Sequence, residues 1–312
     1  MKPMVTLTLN PTIDGSASAE AIRPLRKIRT TDERYEPGGG GINVARVIHE
    51  LGGSAHAVYL VGGPTGKILD EMMAGAGVSA QPIAIAGTTR IAHTVFERVS
   101  GMEYRFVPGG PQISGDEWKS CLEALTSLDF DHIVISGSLP RGLSDDAYHG
   151  VLEIAGRKGA RVVLDTSGPA LRATLDRGVF LVKPSLGELE GLIGRKLPDP
   201  NAQKEAAREL VKAGNAEIVA VTCGRDGAVI VSKDAAWRVV APSVSAQTAV
   251  GAGDSFTAAV TLALGQGRSL EHALVFGVAA GTAAVLSPGA ELCRSEDVDR
   301  LYASLREQAQ AA

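Results

Sequence analysis

The chain has 312 residues, of which 45% are hydrophobic and 21% are charged, as in ordinary folded proteins. Its net charge is −4 and its aromatic content is only 4%, so neither a basic nor a base-stacking nucleic-acid surface is expected. No apolar run is long enough for a membrane span or a signal peptide. The three cysteines form no CxxC motif, so we interpret them as reduced thiols of a cytoplasmic protein. From the charge, the aromatic content and the apolar runs we expect the protein to bind neither membrane nor nucleic acid.

Strands and helices are predicted to alternate along most of the chain. We predict strands at 4–10, 55–63, 132–140, 161–167, 179–185, 216–224 and 227–232. We predict helices at 38–53, 65–77, 144–159, 186–194, 252–264, 271–286 and 295–308, with another between residues 167 and 179. Many of the strands are continuously apolar, which is typical of a parallel sheet covered by helices on both faces.

Two stretches, residues 14–37 and 88–108, break this alternation. Both alternate polar and apolar residues, and the second is typical of a hairpin with Ser100-Gly101 near its turn. We therefore predict a small β-layer that projects from one α/β domain spanning residues 1–312.

The glycine-rich segment "TAVGAGDSF" (248–256) predicts a phosphate site, although it fits neither common phosphate loop. Phe256 stands where a dinucleotide fingerprint needs its third glycine. Gly251, Ala252 and Gly253 nevertheless leave backbone N–H groups open at the start of a helix, which predicts an anion hole. Asp254 beside it is either a base for a hydroxyl that attacks phosphorus or a simple first-turn acid, and spacing alone leaves both readings open.

Two longer segments resemble the signatures of the PfkB/ribokinase family of sugar kinases. "EPGGGGINVARVIHELGG" (36–53) is similar to the N-terminal signature and "QTAVGAGDSFTAAV" (247–260) to the C-terminal one. "LTLNPTID" (7–14), "GGGGINVA", "EYRFVPGG" and "ISGSLPRG" are similar to the branch that acts on phosphorylated ketohexoses, and within it to the 6-phosphofructokinases. The resemblance implies a ribokinase-like three-layer α/β/α sandwich with a small β-sheet lid, and a homodimer formed through the lids.

The implied reaction is ATP- and Mg²⁺-dependent phosphorylation of the 1-hydroxyl of fructose 6-phosphate. The alternative is a tagatose-6-phosphate kinase or a 1-phosphofructokinase of the same family. A non-catalytic sensor on the same fold would not need the acid at position 254. A nucleoside or simple-sugar kinase would leave the cations of the lid without a partner.

The resemblance also assigns residues to the sugar phosphate and to catalysis. Asp254 matches the catalytic base, and residues 251–253 match the anion hole. Substrate contacts are implied for Asp14, Lys27, Arg29, Gly39, Gly40, Asn43, Arg90, Arg105 and Ser138. Without the resemblance, Asp14 and Ser138 would be interpreted as turn residues, and Gly39 and Gly40 as part of a tight strand-to-helix turn. The lysine and the three arginines of the lid would be interpreted as solvated charges on edge strands.

The nucleotide and metal positions follow from the same resemblance. Nucleotide contacts are implied for Lys183, Ser185, Glu188, Thr222, Gly224 and Gly227, with Glu188 organising water around Mg²⁺. A candidate K⁺ site is implied at Thr248, Val250, Ala284, Ser287 and Gly289, mainly through backbone oxygens. Ser185 replaces the usual Asn of the family, so the Mg²⁺ affinity is expected to differ; alone, Glu188 reads as a helix first-turn acid.

Overall fold

The computed structural model describes residues 2–245, 248, 250–287, 289 and 291–310. Its strands are β1 (Met4–Thr8), β2 (Thr12–Ala19), β3 (Thr30–Gly38), β4 (Ala55–Val61), β5 (Ser79–Ala84), β6 (Arg90–Glu97), β7 (Met102–Phe106), β8 (His132–Ser136), β9 (Arg161–Asp165), β10 (Val179–Val182), β11 (Ala216–Thr222), β12 (Ala228–Ser232) and β13 (Ala236–Val239). Its helices are α1 (Gly40–Glu50), α2 (Gly63–Gly75), α3 (Gly115–Ser127), α4 (Tyr148–Lys158), α5 (Gly168–Leu175), α6 (Leu186–Ile193), α7 (Pro200–Lys212), α8 (Ala252–Gly265), α9 (Leu270–Ala284) and α10 (Ser295–Gln310).

The large sheet of the described chain has the order β13-β12-β11-β10-β9-β8-β1-β4-β5. One apolar core fills the space between this sheet and α1, α2, α8, α9 and α10, and a second core lies under α3 to α7 on the opposite face. The interior strand β1, which lies between β8 and β4, is buried throughout. The predicted α/β/α sandwich is confirmed.

The chain leaves β1 in one direction through β4 and β5, and later builds β8 to β11 on the other side. The strand order therefore reverses between β1 and β8, and ligands of open α/β sheets bind beyond the carboxyl ends of the strands at such a reversal. This edge is where the predicted site residues should converge.

The predicted strands from β11 to β4 are parallel as expected, whereas the prediction is wrong for β12, which pairs antiparallel with β11 and with β13. The β11–β12 connection, residues 223–227, is too short for the crossover that parallel pairing needs. The prediction also omitted α3, α7, β5 and β13. Both helices have side-chain caps that the sequence displays, a Ser114–Glu117 capping box and Asp199 before Pro200.

A second sheet of four strands, in the order β3-β2-β6-β7, contains both stretches predicted for the β-layer. The β6–β7 hairpin turns at Ser100 and Gly101 as predicted, and Gly101 has the φ of 68° that such a turn requires. Strands β2 and β6 pair parallel, which the sequence did not indicate. Within the described part of the chain, none of the helices has the length and apolar character needed to span a bilayer.

Candidate active site

The glycine segment before α8 forms the predicted helix start. Gly251 is the N-cap residue, with a left-handed φ of 76°, and Asp254 is the third residue of the helix. A side chain at Gly253 would lie 3.6 Å from Nζ of Lys183, so the open side of this glycine faces a cation. The first-turn N–H groups and this ammonium group together make the start of α8 suited to an anion.

The glycine run before α1 brings this helix close to the sheet edge. A side chain on Gly40 would lie 2.3 Å from Ser136 Oγ, and one on Gly41 would lie 2.7 Å from the carbonyl oxygen of Leu7. The close approach places Asn43, which is buried, where its Nδ2 donates to Asp254 Oδ2 at 2.8 Å. Two predicted site residues that are far apart in sequence are therefore in direct contact.

The surroundings of Asp254 raise its pKa to about 7. Burial is the main cause, and the negative charge of Asp165 adds to it. The hydrogen bond from Asn43 and the charge of Lys183 act in the opposite direction. A carboxyl group with this pKa exchanges protons readily near neutral pH, as a general base must.

Lys183 forms a buried ion pair that the sequence analysis did not predict. Its Nζ lies 3.1 Å from Asp165 Oδ1, and Thr257 of α8 donates to Asp165 Oδ2 at 2.8 Å. Burial lowers the pKa of Lys183, but nearby carboxylates, chiefly Asp165, outweigh burial and raise it. The available signal was an acid at the carboxyl end of an apolar strand, in "RVVLDTS".

Ser185 and Glu188 form a capping box at the start of α6. The Glu188 carboxylate accepts from the Ser185 backbone N–H at 2.7 Å and from its hydroxyl at 2.9 Å through the same oxygen, Oε2. The structural reading of Glu188 as a first-turn acid is therefore correct for this oxygen. The other oxygen, Oε1, makes no hydrogen bond to the described residues.

The loop after β11 lies beside this capping box. Ser185 pairs with Thr222 in an isolated bridge, and the Thr222 N–H donates to the carbonyl oxygen of Pro184 at 3.1 Å. Gly224 is exposed and has open space around it, whereas a side chain on Gly227 would lie 1.9 Å from the carbonyl oxygen of Val239. The six residues predicted to contact a nucleotide thus lie in two adjoining segments, 183–188 and 222–227.

Asp14, Arg90 and Arg105 form a charged group on one face of the small sheet. Burial raises the pKa of Asp14, and the charges of Arg105 and Arg90 oppose that rise. Gly38 makes room for the carboxylate, since a side chain there would lie 2.0 Å from Asp14 Oδ2. The Arg90 guanidinium donates to the backbone carbonyls of Pro108 and Asn10, both at 2.8 Å. Arg105 is exposed and donates no hydrogen bond to the described residues.

The other predicted substrate residues are placed unequally. Ser138 accepts a hydrogen bond from Asn10 Nδ2 at 3.1 Å, beside the end of β1. Oδ1 of Asn10 is buried without a partner in the described structure, so Asn10 is a polar site residue that sequence analysis missed. Lys27 and Arg29 lie exposed in the β2–β3 connection and are not brought to Asp254.

The segments predicted for K⁺ adjoin the start of α8. Thr248, Val250, Ala284 and Ser287 are buried, and a side chain on Gly251 would meet Leu292, which follows these segments. Residues 246, 247, 249, 288 and 290 lie outside the described residues. Among the residues that are described, no three His, Cys, Asp or Glu side chains gather closely enough to hold a metal ion alone.

Comparison with known proteins agrees with this geometry. An ATP-dependent 6-phosphofructokinase isozyme 2 of Escherichia coli is 41% identical over 98% of this chain and 99% of its own. A crystal structure of E. coli phosphofructokinase-2 in complex with substrates and products has a TM-score of 0.94, with 40% identity over 98% of this chain and 100% of its own. Another structure of that E. coli protein is in complex with potassium.

More distant relatives carry a different name. A 1-phosphofructokinase of Bacillus subtilis is 32% identical over 96% of this chain and 98% of its own. A model of the pfkB family carbohydrate kinases matches residues 8–297. The fold, the order of the motifs and these matches agree, and the chain belongs to the pfkB family of carbohydrate kinases.

Proposed function

We propose that the protein is a 6-phosphofructokinase, which transfers the γ-phosphoryl group of ATP to the 1-hydroxyl of fructose 6-phosphate. The observation that carries the proposal is the placement of Asp254, with a pKa of about 7, at a helix start suited to an anion. The higher identity to a 6-phosphofructokinase than to a 1-phosphofructokinase favours fructose 6-phosphate over fructose 1-phosphate.

In the proposed reaction Asp254 accepts the proton of the attacking hydroxyl. The N–H groups of residues 251–253 and the ammonium group of Lys183 stabilise the charge that develops on the transferred phosphoryl oxygens. Asn43 holds the Asp254 carboxylate in place through the 2.8 Å hydrogen bond. Closure of the small sheet over the sugar would exclude water and so limit wasteful hydrolysis of ATP.

The sugar phosphate is proposed to lie between the large sheet and the small one. Asp14, Asn43 and Ser138 offer acceptors and donors for sugar hydroxyls. Arg105 is the cation best placed for the 6-phosphate, because its guanidinium donates no hydrogen bond to the described residues and its charge reaches Asp14. The Arg90 guanidinium already donates hydrogen bonds to two carbonyl oxygens, so it would attract the 6-phosphate mainly through its charge.

ATP and Mg²⁺ are the cofactors that this reaction requires. The residues present fit Mg²⁺ held by nucleotide phosphates and water, since Glu188 Oε1 is open for a metal-bound water. Bound Mg²⁺ would neutralise phosphate charge during transfer. A K⁺ ion is proposed for the segments 248–250 and 284–289, by analogy with the E. coli protein crystallised with potassium.

The substitution Asp254→Asn tests the proposal. It should lower kcat by roughly 10² or more, because the general base is lost, while ATP binding and thermal stability remain near those of the wild type. Glu271→Gln is the matched control, since Glu271 is a first-turn acid of α9 with no role in the proposed site. If Asp254→Asn keeps more than about one tenth of kcat, Asp254 is not the base.

The protein is also proposed to form a homodimer through its small sheets. Eight of the eleven large apolar side chains that are exposed in the described structure belong to this layer: Leu25, Ile28, Tyr35, Phe96, Val99, Met102, Phe106 and Val107. Apolar surface concentrated in this way indicates a protein interface. Phe106→Asp should convert a dimer into a monomer in light scattering, whereas Trp237→Asp, outside this layer, should not.

A further inference from the structure

A chain of two hydrogen bonds connects the small sheet to the start of α8 through Thr248, a residue that also belongs to the candidate K⁺ site. The Thr248 hydroxyl donates to Glu103 Oε2, on β7, at 3.2 Å, and accepts from the Val250 N–H at 3.1 Å. Val250 directly precedes Gly251, the N-cap residue of α8. One buried hydroxyl therefore joins the small sheet to the residue before the proposed anion hole.

The geometry of β7 places this connection beside the proposed phosphate cation. Glu103 and Arg105 are two residues apart on one strand, so their side chains lie on the same face. Arg105 of β7 pairs with Thr94 of β6, and Thr94 pairs with Ser16 of β2. Ser16 is two residues from Asp14, so Arg105 and Asp14 lie on the same face of the small sheet. A ligand that fixes Arg105 would therefore also fix the strand that carries Glu103.

The Thr248 hydroxyl has a single hydrogen to donate. When it donates to Glu103, its lone pairs are oriented and one is directed at the Val250 N–H. Without Glu103 the hydroxyl is free to rotate, and the Val250 N–H loses a fixed acceptor. The effect of Glu103 on the segment before Gly251 is thus a matter of orientation, because among the described residues the hydrogen bonds that join the two pass through this hydroxyl.

Two other contacts hold the small sheet against the loop after α9. Arg34 of β3 forms an ion pair with Glu291. Gly289 lies against Ser16 of β2, where a side chain would meet the Ser16 hydroxyl at 2.5 Å. Because these contacts do not involve Glu103, its removal should leave the small sheet docked.

We propose that Glu103 is a positioning residue, which couples sugar-phosphate binding on β7 to the geometry of the anion hole through Thr248 and Val250. This inference rests on the proposed function for its kinetic consequence. It predicts that Glu103 acts mainly on the chemical step and little on ATP binding.

The kinetic test compares Glu103→Ala, Glu103→Gln and Thr248→Val. Glu103→Ala should lower kcat about tenfold with fructose 6-phosphate, the size expected for one hydrogen bond to a charged group, with the KM for ATP unchanged. Glu103→Gln keeps an acceptor oxygen and should restore most of kcat. Thr248→Val should lose at least as much kcat as Glu103→Ala, because Thr248 also belongs to the candidate K⁺ site, and the double variant should lose no more than Thr248→Val alone. Additive losses would overturn the coupling.

Hydrogen–deuterium exchange tests the same connection without substrate. Peptides covering 250–256 should exchange faster in Glu103→Ala than in the wild type and should be unchanged in Glu103→Gln. Arg98→Gln is the matched control, because Arg98 pairs with Asp32 within the small sheet. Equal exchange in Glu103→Ala and the wild type would overturn the inference whatever the substrate. Absence of wild-type turnover of fructose 6-phosphate would instead refute the proposed function.

Discussion

The hydrogen bond from Asn43 to Asp254 should control the pH at which the enzyme works. The bond is 2.8 Å long and is made to the ionised carboxylate, so it lowers the pKa of Asp254. A hydrogen bond to a charged group contributes about 1.5 kcal/mol at the low end, which corresponds to about one pKa unit. Asn43→Ala should therefore raise the pKa of Asp254 from about 7 by about one unit.

The consequence is a loss of activity that depends on pH. At pH 7 the ionised fraction of Asp254 in the free enzyme should fall from about one half to about one tenth, so kcat/KM should fall about fivefold through this effect. At pH 9 the carboxylate is ionised in both proteins, and this part of the loss should largely disappear. The assay is kcat/KM for fructose 6-phosphate, followed by ADP release, from pH 6 to 9. A deficit of the same size at every pH would show that Asn43 does not set the pKa of Asp254, because a purely steric role of Asn43 does not depend on pH.

Three further predictions concern stability. Lys183→Met leaves Asp165 without its cation and should lower the free energy of unfolding by about 3–5 kcal/mol in chemical denaturation. A change below about 1 kcal/mol would contradict a stabilising role of the ion pair between Lys183 and Asp165. Gly227→Ala should lower Tm more than Gly224→Ala, because only the new side chain at position 227 would collide with backbone atoms. Equal losses of Tm in the two variants would show that the positive φ of both glycines, and not the collision, determines the cost. Burial and the charge of Arg161 lower the pKa of His132 below its ordinary 6.5. As the pH falls, the unfolded chain therefore binds the proton before the folded protein does. The free energy of unfolding should then decrease as the pH drops below about 6.5. This fall in Tm should be smaller in His132→Leu, and an identical pH dependence in that variant would contradict the assignment.

The sequence predicted the layers of the fold because apolar runs and helical spacing are local signals. It did not predict that β12 and β13 pair antiparallel, since sheet direction depends on the geometry of connections. The omitted helices α3 and α7 start at side-chain caps that are visible in the sequence, but neither is strongly apolar. The parallel pairing of β2 with β6 joins strands that are distant along the chain, and no local pattern encodes such a contact.

The site was predicted where a motif marks it and missed where only folding brings residues together. Asp254 and Asn43 belong to the two family signatures, and in the structure their side chains are in contact. Asp165 lies at the end of an ordinary apolar strand, and its role appears only when Lys183 and Thr257 are placed beside it. The roles of Lys27 and Arg29 remain predictions, because both lie in an exposed connection.

The substrate of the protein is identified by measuring kcat/KM for four sugars with Mg²⁺-ATP and K⁺. These are fructose 6-phosphate, tagatose 6-phosphate, fructose 1-phosphate and unphosphorylated fructose. We expect a clear preference for fructose 6-phosphate and a large loss with unphosphorylated fructose, which offers no phosphate to Arg105. A preference for tagatose 6-phosphate or fructose 1-phosphate would contradict the assignment while keeping the mechanism, and turnover of none of the four would contradict both.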